Sequence, residues 1–290
     1  MKRYVRVSSI AGLLVVVLIA VFLCGCTGTS GQDDIVPAIS TGTIESLTIS
    51  GSTTVLPVAA NAAEAFMDMH PNADIQVSAG GSSVGVLAVG EGTADIGMAS
   101  RDLKEVEIQK YQDLVPHEIA RDGIALIVHP SNLLSSLTIG QIKAIYRGNV
   151  TNWKDIGGED AEIVVIGRDS ASGTREFFHE YVMNKEDFVQ TQLEKNSNGA
   201  VKSTVAQTPG SIGYVGLGYI DQSVKSISID NGTSTIDPTV ENVLSGEYPI
   251  SRSLYMITRG EPTGLAADFL LFIMSSDGQK MVSDEGFVPA

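Results

Sequence analysis

The sequence predicts an α/β protein built on a mainly parallel sheet. Short apolar runs of strand length alternate with segments of helical periodicity. Three such runs in succession, over 47–50, 75–78 and 95–99, end in turns rich in Ser, Thr and Gly. Two of those turns open helices, so the three turns fall on one sheet edge, where ligands of parallel sheets bind. With 290 residues, 43% of them hydrophobic, the chain can fill two domains of ordinary size.

The chain opens on Lys2, Arg3 and Arg6, followed by an apolar run over 10–23. That is the length of a signal-peptide core and short for a membrane span. Leu23-Cys24-Gly25-Cys26 follows and resembles a lipobox, with the small Gly25 before Cys26. The expectation is a signal peptide over 1–25, a lipid on Cys26 and a flexible Ser/Thr/Gly-rich tether over 26–45. An uncleaved N-terminal anchor is the alternative. Either places the remainder outside the membrane.

The first strand ends at Gly51-Ser52-Thr53-Thr54. A helix follows, with Val55, Val58, Ala59, Ala62 and Phe66 along one side, and stops near His70-Pro71 because proline cannot continue it. The second strand ends at Gly80-Gly81-Ser82-Ser83, and a helix begins at 84–89. The third ends at Ser100-Arg101-Asp102. Further strands are expected over 124–128, 163–166, 211–215 and 254–257. Helices are expected over 139–146, 198–206, 265–274 and 279–283. Trp153, the single tryptophan, reads as a packing residue.

The stretch from Gly167 to Phe178 holds the densest chemistry. A buried strand over 163–166 precedes it, and Phe177, Phe178 and Tyr181 follow at helical spacing. The turn between carries Ser170, Ser172 and Thr174, with Arg168 and Arg175 on either side. The first N–H groups of a helix are unpaired and partly positive, so a start of this composition suits an oxyanion. The plainer reading is a helix capped by Ser170 or Ser172.

Net charge is −15, and three positive charges with no negative one precede Cys26, so a chain processed there carries −18. Such a surface repels nucleic acid and anionic headgroups, which argues against both as partners. An anionic ligand would need short-range N–H and O–H donors. The only cysteines are Cys24 and Cys26, and the four histidines are scattered, so neither a metal site nor a cofactor is indicated.

Four motifs occur in order: Gly51-Ser52-Thr53-Thr54-Val55-Leu56-Pro57, Gly80-Gly81-Ser82-Ser83, Ala94-Asp95-Ile96-Gly97-Met98-Ala99-Ser100-Arg101, and Arg168 through Thr174. With the segment Tyr248 to Tyr255 and the ending Ser276 to Pro289, they resemble the substrate-binding proteins of phosphate ABC importers over residues 47–289. The resemblance implies a two-lobed periplasmic-binding-protein-like fold of type II, with the ligand cleft between lobes joined by crossing strands. Lobe 1 would comprise 46–127 with 254–290, and lobe 2 would comprise 128–253. It also implies a monomer on the outer face of the cell membrane that captures inorganic phosphate for a permease and its ATPase subunits, without being an enzyme. Carried over by motif, the phosphate-binding residues are Thr53, Thr54, Ser82, Ser83, Ser100, Arg101, Asp102, Arg168, Ser172, Gly173 and Thr174. A carboxylate that accepts the phosphate proton is open among Asp102, Asp95 and Asp169, with Asp102 ahead.

Two other readings compete. One is a binder of sulfate, molybdate or tungstate. The other is a secreted serine hydrolase: Gly81-Ser82-Ser83-Val84-Gly85 matches G-x-S-x-G, with His129 or His179 available as base. That short pattern arises often by chance and leaves the other hydroxyl turns unexplained.

Overall fold

The computed structural model describes residues 43–290. The first lobe opens with β1 (Glu45–Gly51), α1 (Leu56–Met69), β2 (Ala73–Ala79), α2 (Ser82–Gly90), β3 (Ile96–Ala99) and α3 (Glu105–Lys110). β1 pairs in parallel with β2 and β3. Leu47 and Ile49 alternate inward from β1 and pack against Val58, Ala62 and Phe66 of α1. Pro57 lies in the first turn of α1, where a missing N–H costs nothing. The helix ends at His70, whose N–H closes back on Phe66 and Met67 carbonyls.

β4 (Leu114–Val128) then runs into the second lobe. That lobe holds β5 (Ser136–Thr138), α4 (Ile139–Tyr146), β6 (Val164–Arg168), α5 (Gly173–Tyr181), β7 (Leu193–Lys195) and α6 (Asn198–Gln207). It continues through β8 (Ser211–Gly216), β9 (Lys225–Asp230), β10 (Thr235–Ile236) and α7 (Val240–Leu244). β11 (Ser251–Arg259) returns to the first lobe, followed by α8 (Gly264–Met274), α9 (Ser276–Asp284) and β12 (Val288–Pro289). Phe269 of α8 meets Phe66 of α1 edge-on at 5.8 Å, which docks the C-terminal helices on the first lobe.

The strand order is β2-β1-β3-β11-β4-β8-β6-β7. Each lobe is parallel at its outer strands. The two crossing strands, β4 and β11, are antiparallel to each other and to their neighbours β8 and β3. Ile119 and Ala120 of β4, with Leu254 and Met256 of β11, belong to the first core. Ile124, Ala125 and Leu126, with Ile250, belong to the second. Both strands therefore change core within a few residues of Asp122 and Arg252. On β4 that point lies ahead of 124–127, a stretch that the sequence reading assigned to the first lobe.

The strands over 47–50, 75–78 and 95–99 and the expected helices are present within a residue or two at most ends. Trp153 is buried and donates its indole N–H to the Gly210 carbonyl at 2.8 Å. The N-terminal half of β4 was not anticipated. Pro116, His117 and Glu118 break its apolar pattern, and pairing with β11 makes it a strand. The signal peptide, Cys26 and most of the tether lie outside the described residues.

Candidate anion-binding site

The turns that the sequence singled out meet between the lobes. After β1, Ser52 Oγ accepts the Thr54 N–H at 3.1 Å, tightening the turn that leads into α1. Thr53 and Thr54 are buried by it. At the start of α2, Ser82 Oγ accepts the Ser100 N–H at 3.0 Å and lies 3.3 Å from Ser100 Oγ, joining the turns after β2 and β3. From the second lobe, Ser172 caps α5 by accepting the Arg175 N–H at 3.2 Å. Thr174 Oγ1 then sits 3.3 Å from Thr54 Oγ1 across the lobes.

The close approach depends on two glycines. A Cβ on Gly173 would collide with Ser82 Oγ and come within 2.9 Å of Ser100 Oγ. Gly81 has φ +91°, and a Cβ there would stand 2.5 Å from the Ala171 carbonyl oxygen. The Ser83 N–H donates to that same carbonyl at 3.1 Å. At the rim, Lys104 Nζ reaches Glu176 at 2.8 Å and bridges α5 to the loop before α3.

Arg168 ends β6 and is 1% exposed. Its Nε and Nη2 donate to the Lys195 and Asn196 carbonyls at 3.1 and 3.2 Å, which fixes the plane of the guanidinium. Its Nη1 is buried and has no partner. Burial pushes its pKa down from the ordinary arginine range, while Tyr214 and Asp169 act in the opposite direction. A guanidinium stays charged under such conditions. The site thus offers a positive, desolvated donor beside the start of α5.

Four further residues complete the arrangement. Asn198, at the start of α6, is fully buried and donates Nδ2 to Thr53 Oγ1 at 3.1 Å and to Thr54 Oγ1 at 3.0 Å. Arg252 donates Nη2 to Thr54 Oγ1 at 3.2 Å and Nη1 to the Ser100 carbonyl at 2.9 Å. Asp122 holds Arg252 at 2.8 Å through Oδ2 and accepts the Leu217 N–H at 2.9 Å through Oδ1. Tyr219 donates its hydroxyl to the Thr53 carbonyl, and burial pushes its pKa up to about 12, so it remains a donor. The sequence reading missed all four. Arg252 lay inside the segment from Tyr248 to Tyr255 quoted for its family likeness. Asp122 stands just ahead of the apolar run 124–128, and an acid at the entrance to a buried strand was the available signal for it.

The structure brings Thr53, Thr54, Ser82, Ser100, Ser172, Gly173 and Thr174 together. Arg168 stands beside them with Nη1 unpartnered, whereas Ser83, Arg101, Asp102 and Asp95 have other partners. Arg101 is clamped by Glu107 at 2.7 and 2.8 Å and also donates to Ser83 Oγ at 3.2 Å. Asp102 accepts the Tyr255 hydroxyl at 2.8 Å and is exposed. Asp95 accepts from Thr48 N and Oγ1 at 2.7 and 2.8 Å, at the far end of β3. Asp169 Oδ1 is buried with no partner. For the hydrolase reading, Ser83 Oγ is taken by Arg101 and His129 pairs with Ser131. No Ser83–histidine hydrogen bond occurs among the described residues.

The PBP superfamily domain matches residues 36–277. The chain is 40% identical over 246 residues to the phosphate-binding protein PstS of Bacillus subtilis, covering 84% of this chain and 80% of that protein. It is 33% identical to PstS of Pseudomonas aeruginosa over 273 residues, covering 86% and 84%. Among solved structures, it is similar to a phosphate ABC transporter substrate-binding protein of Clostridium perfringens with bound phosphate. That match has 41% identity and a TM-score of 0.80, and it covers 85% of this chain and all of that one. An ABC-type phosphate transport receptor of Vibrio cholerae matches with 33% identity and a TM-score of 0.70, covering 84% and 100%. A two-lobed fold with hydroxyl turns and a buried arginine converging between the lobes, matched over most of its length by these relatives, places this chain in the PstS family of phosphate-binding proteins.

Proposed function

We infer that this protein captures inorganic phosphate between its lobes and hands it to the permease and ATPase subunits of an ABC importer. The observation that carries the reading is Arg168. It is buried and positive, its plane is fixed by two main-chain carbonyls, and Nη1 is left to a ligand. A fixed guanidinium followed in the chain by the hydroxyls and main-chain N–H groups of the α5 start suits a tetrahedral oxyanion, and the relatives named for phosphate make phosphate the ligand. The protein binds its ligand without turning it over. It acts as a monomer on the outer face of the cell membrane, held by a lipid on Cys26.

Calorimetric titration of the purified protein with phosphate, sulfate and molybdate tests the ligand. Saturable binding of phosphate, tighter than that of the other two, is expected; equal or tighter binding of sulfate or molybdate would reassign it. Cys26→Ser tests the anchor. The variant should appear in the medium or stay unprocessed, and wild-type processing with membrane fractionation would refute the lipid.

A further inference from the structure

A threonine hydroxyl has one proton to give and two lone pairs that accept. Thr54 Oγ1 has three polar neighbours. Asn198 Nδ2 at 3.0 Å and Arg252 Nη2 at 3.2 Å are both N–H donors, and Thr174 Oγ1 at 3.3 Å can act either way. The arginine has no acceptor to offer. The amide is oriented by the Gly216 N–H, which donates to Asn198 Oδ1 at 3.4 Å. Both lone pairs of Thr54 are therefore filled by nitrogen donors on the side of the crossing strands and α6. Its proton must point the other way, toward Thr174 and the cleft.

Among the described residues, Ser52 Oγ also takes two nitrogen donors, the Thr54 and Val55 N–H groups at 3.1 and 3.5 Å, but these lie within its own turn, and the other hydroxyls of the cluster do not. Thr53 Oγ1 accepts from Asn198 alone, Ser172 Oγ from the Arg175 N–H alone, and Ser82 Oγ from the Ser100 N–H with Ser100 Oγ as its second neighbour. These can rotate between giving and accepting a proton. Thr54 cannot.

We propose that Asn198 and Arg252 are positioning residues that make Thr54 an obligate hydrogen-bond donor to the bound anion. Thr54 then donates only to a bare oxygen of the ligand, so a protonated phosphate must turn its O–H toward another part of the cleft. Arg252 is itself held by Asp122 and grips the Ser100 carbonyl, which ties the turn after β3 to the same orientation. The proposal rests on the oxyanion reading above.

The test is a double-mutant cycle read by phosphate calorimetry. Thr54→Val, close in shape, should weaken binding about 10–100-fold, and Thr54→Ser should restore it. Asn198→Asp keeps the shape but replaces the donor with an acceptor, which draws the Thr54 proton away from the cleft. It also adds a negative charge. In the wild-type background Asn198→Asp should lower affinity more than Asn198→Ala does. In the Thr54→Val background the excess should shrink to the charge effect and the contribution of Thr53, the amide's other partner, because the Thr54 proton is gone. That non-additivity is the signature, since merely structural damage or simple repulsion would be the same in both backgrounds. Additive losses would overturn the proposal while leaving phosphate binding intact. Absence of phosphate binding by the wild-type protein would instead remove the reading on which it rests.

Discussion

Asp122 and Arg252 lie directly opposite each other on β4 and β11, where both strands pass from one hydrophobic core to the other. Their side chains are 0% and 1% exposed, and the carboxylate takes two hydrogen bonds from the guanidinium, at 2.8 and 3.1 Å. Burial acts on both groups toward their neutral forms, and each partner opposes that shift in the other. Together they reach Thr54, Ser100 and Leu217. The pair thus fastens turns from both lobes at the crossing, where domain closure of the hinge type would pivot.

A buried pair of this kind stabilises little relative to an apolar replacement, but breaking it leaves one charge stranded. We predict that Asp122→Asn and Arg252→Met each lower stability by about 3–5 kcal/mol. Joining Arg252→Met to Asp122→Leu should recover much of that loss while leaving phosphate affinity reduced, because Thr54 and Ser100 lose their donor. Urea denaturation and calorimetry on the same variants separate the two effects. Full recovery of affinity in the double variant would show that the pair is structural only.

Gly173 gives a way to hold the lobes apart. It opens α5 and faces Ser82 and Ser100 of the other lobe, where a Cβ has no room. Gly173→Ala is therefore expected to fold, since a helix start accepts alanine, yet to resist closure. Overpacking of this sort costs about 1–3 kcal/mol, which should appear as lost phosphate affinity. Small-angle scattering at saturating phosphate should give a larger radius of gyration for the variant than for the wild type. Equal radii with unchanged affinity would mean that the contact yields without cost.

The hydroxyl turns were legible because each follows a short apolar run, and a run that ends in Ser, Thr and Gly announces the carboxyl end of a strand. The sheet edge then brings Thr53, Ser82 and Ser100 together without any long-range information. Asp122 and Arg252 were not legible in this way. They are 130 residues apart, and only the register of two crossing strands makes them partners. Asn198 was hidden for a related reason. It reads as an ordinary residue in the first turn of a helix capped by Ser197, and only the closed approach of the lobes puts its amide on Thr53 and Thr54. Ser83 and Arg101 show the converse. They adjoin Ser82 and Ser100 in sequence, but Glu107 holds Arg101 toward α3, and Arg101 in turn donates to Ser83 Oγ.

His117 makes a pH prediction. Its Nε2 lies 2.9 Å from Thr258 Oγ1, and that hydroxyl donates to the Gly260 carbonyl. The imidazole must therefore donate through Nε2. Burial holds its pKa below the ordinary histidine value, with Glu261 acting weakly in the opposite direction. The fold thus prefers the neutral ring. As pH falls through about 6.5 the unfolded chain takes up the proton first, so stability is lost, and the loss levels off once the folded ring is also protonated. Urea denaturation between pH 8 and pH 5 should show this segment in the wild type and a flatter one in His117→Gln. Identical slopes would assign the pH dependence to other groups.

Selectivity between phosphate and sulfate turns on an acceptor. Near neutral pH phosphate keeps at least one proton and sulfate has none. Hydroxyls that can rotate serve either ion, so only a fixed acceptor tells them apart. The carboxylates of Asp95, Asp102 and Asp122 already accept from Thr48, Tyr255 and Arg252. Asp169 differs: its Oδ1 is buried and partnerless, it follows Arg168 directly, and it borders a cavity of about 630 Å³ shared with Thr53, Gly80, Asn196 and Tyr219 from both lobes. We predict that this oxygen accepts the O–H of bound phosphate and meets a bare oxygen when sulfate binds. Where a required hydrogen bond cannot form, polar sites discriminate by about 10⁴–10⁵-fold. Asp169→Asn should lower phosphate affinity and raise sulfate affinity, because the amide can donate. A charge effect alone would raise both, so the opposite signs distinguish the two explanations. Binding of sulfate by the variant also shows that it is folded. Titration of both anions into wild type, Asp169→Asn and Asp102→Asn decides the matter. Unchanged selectivity in Asp169→Asn, or its loss in Asp102→Asn, would move the acceptor away from Asp169.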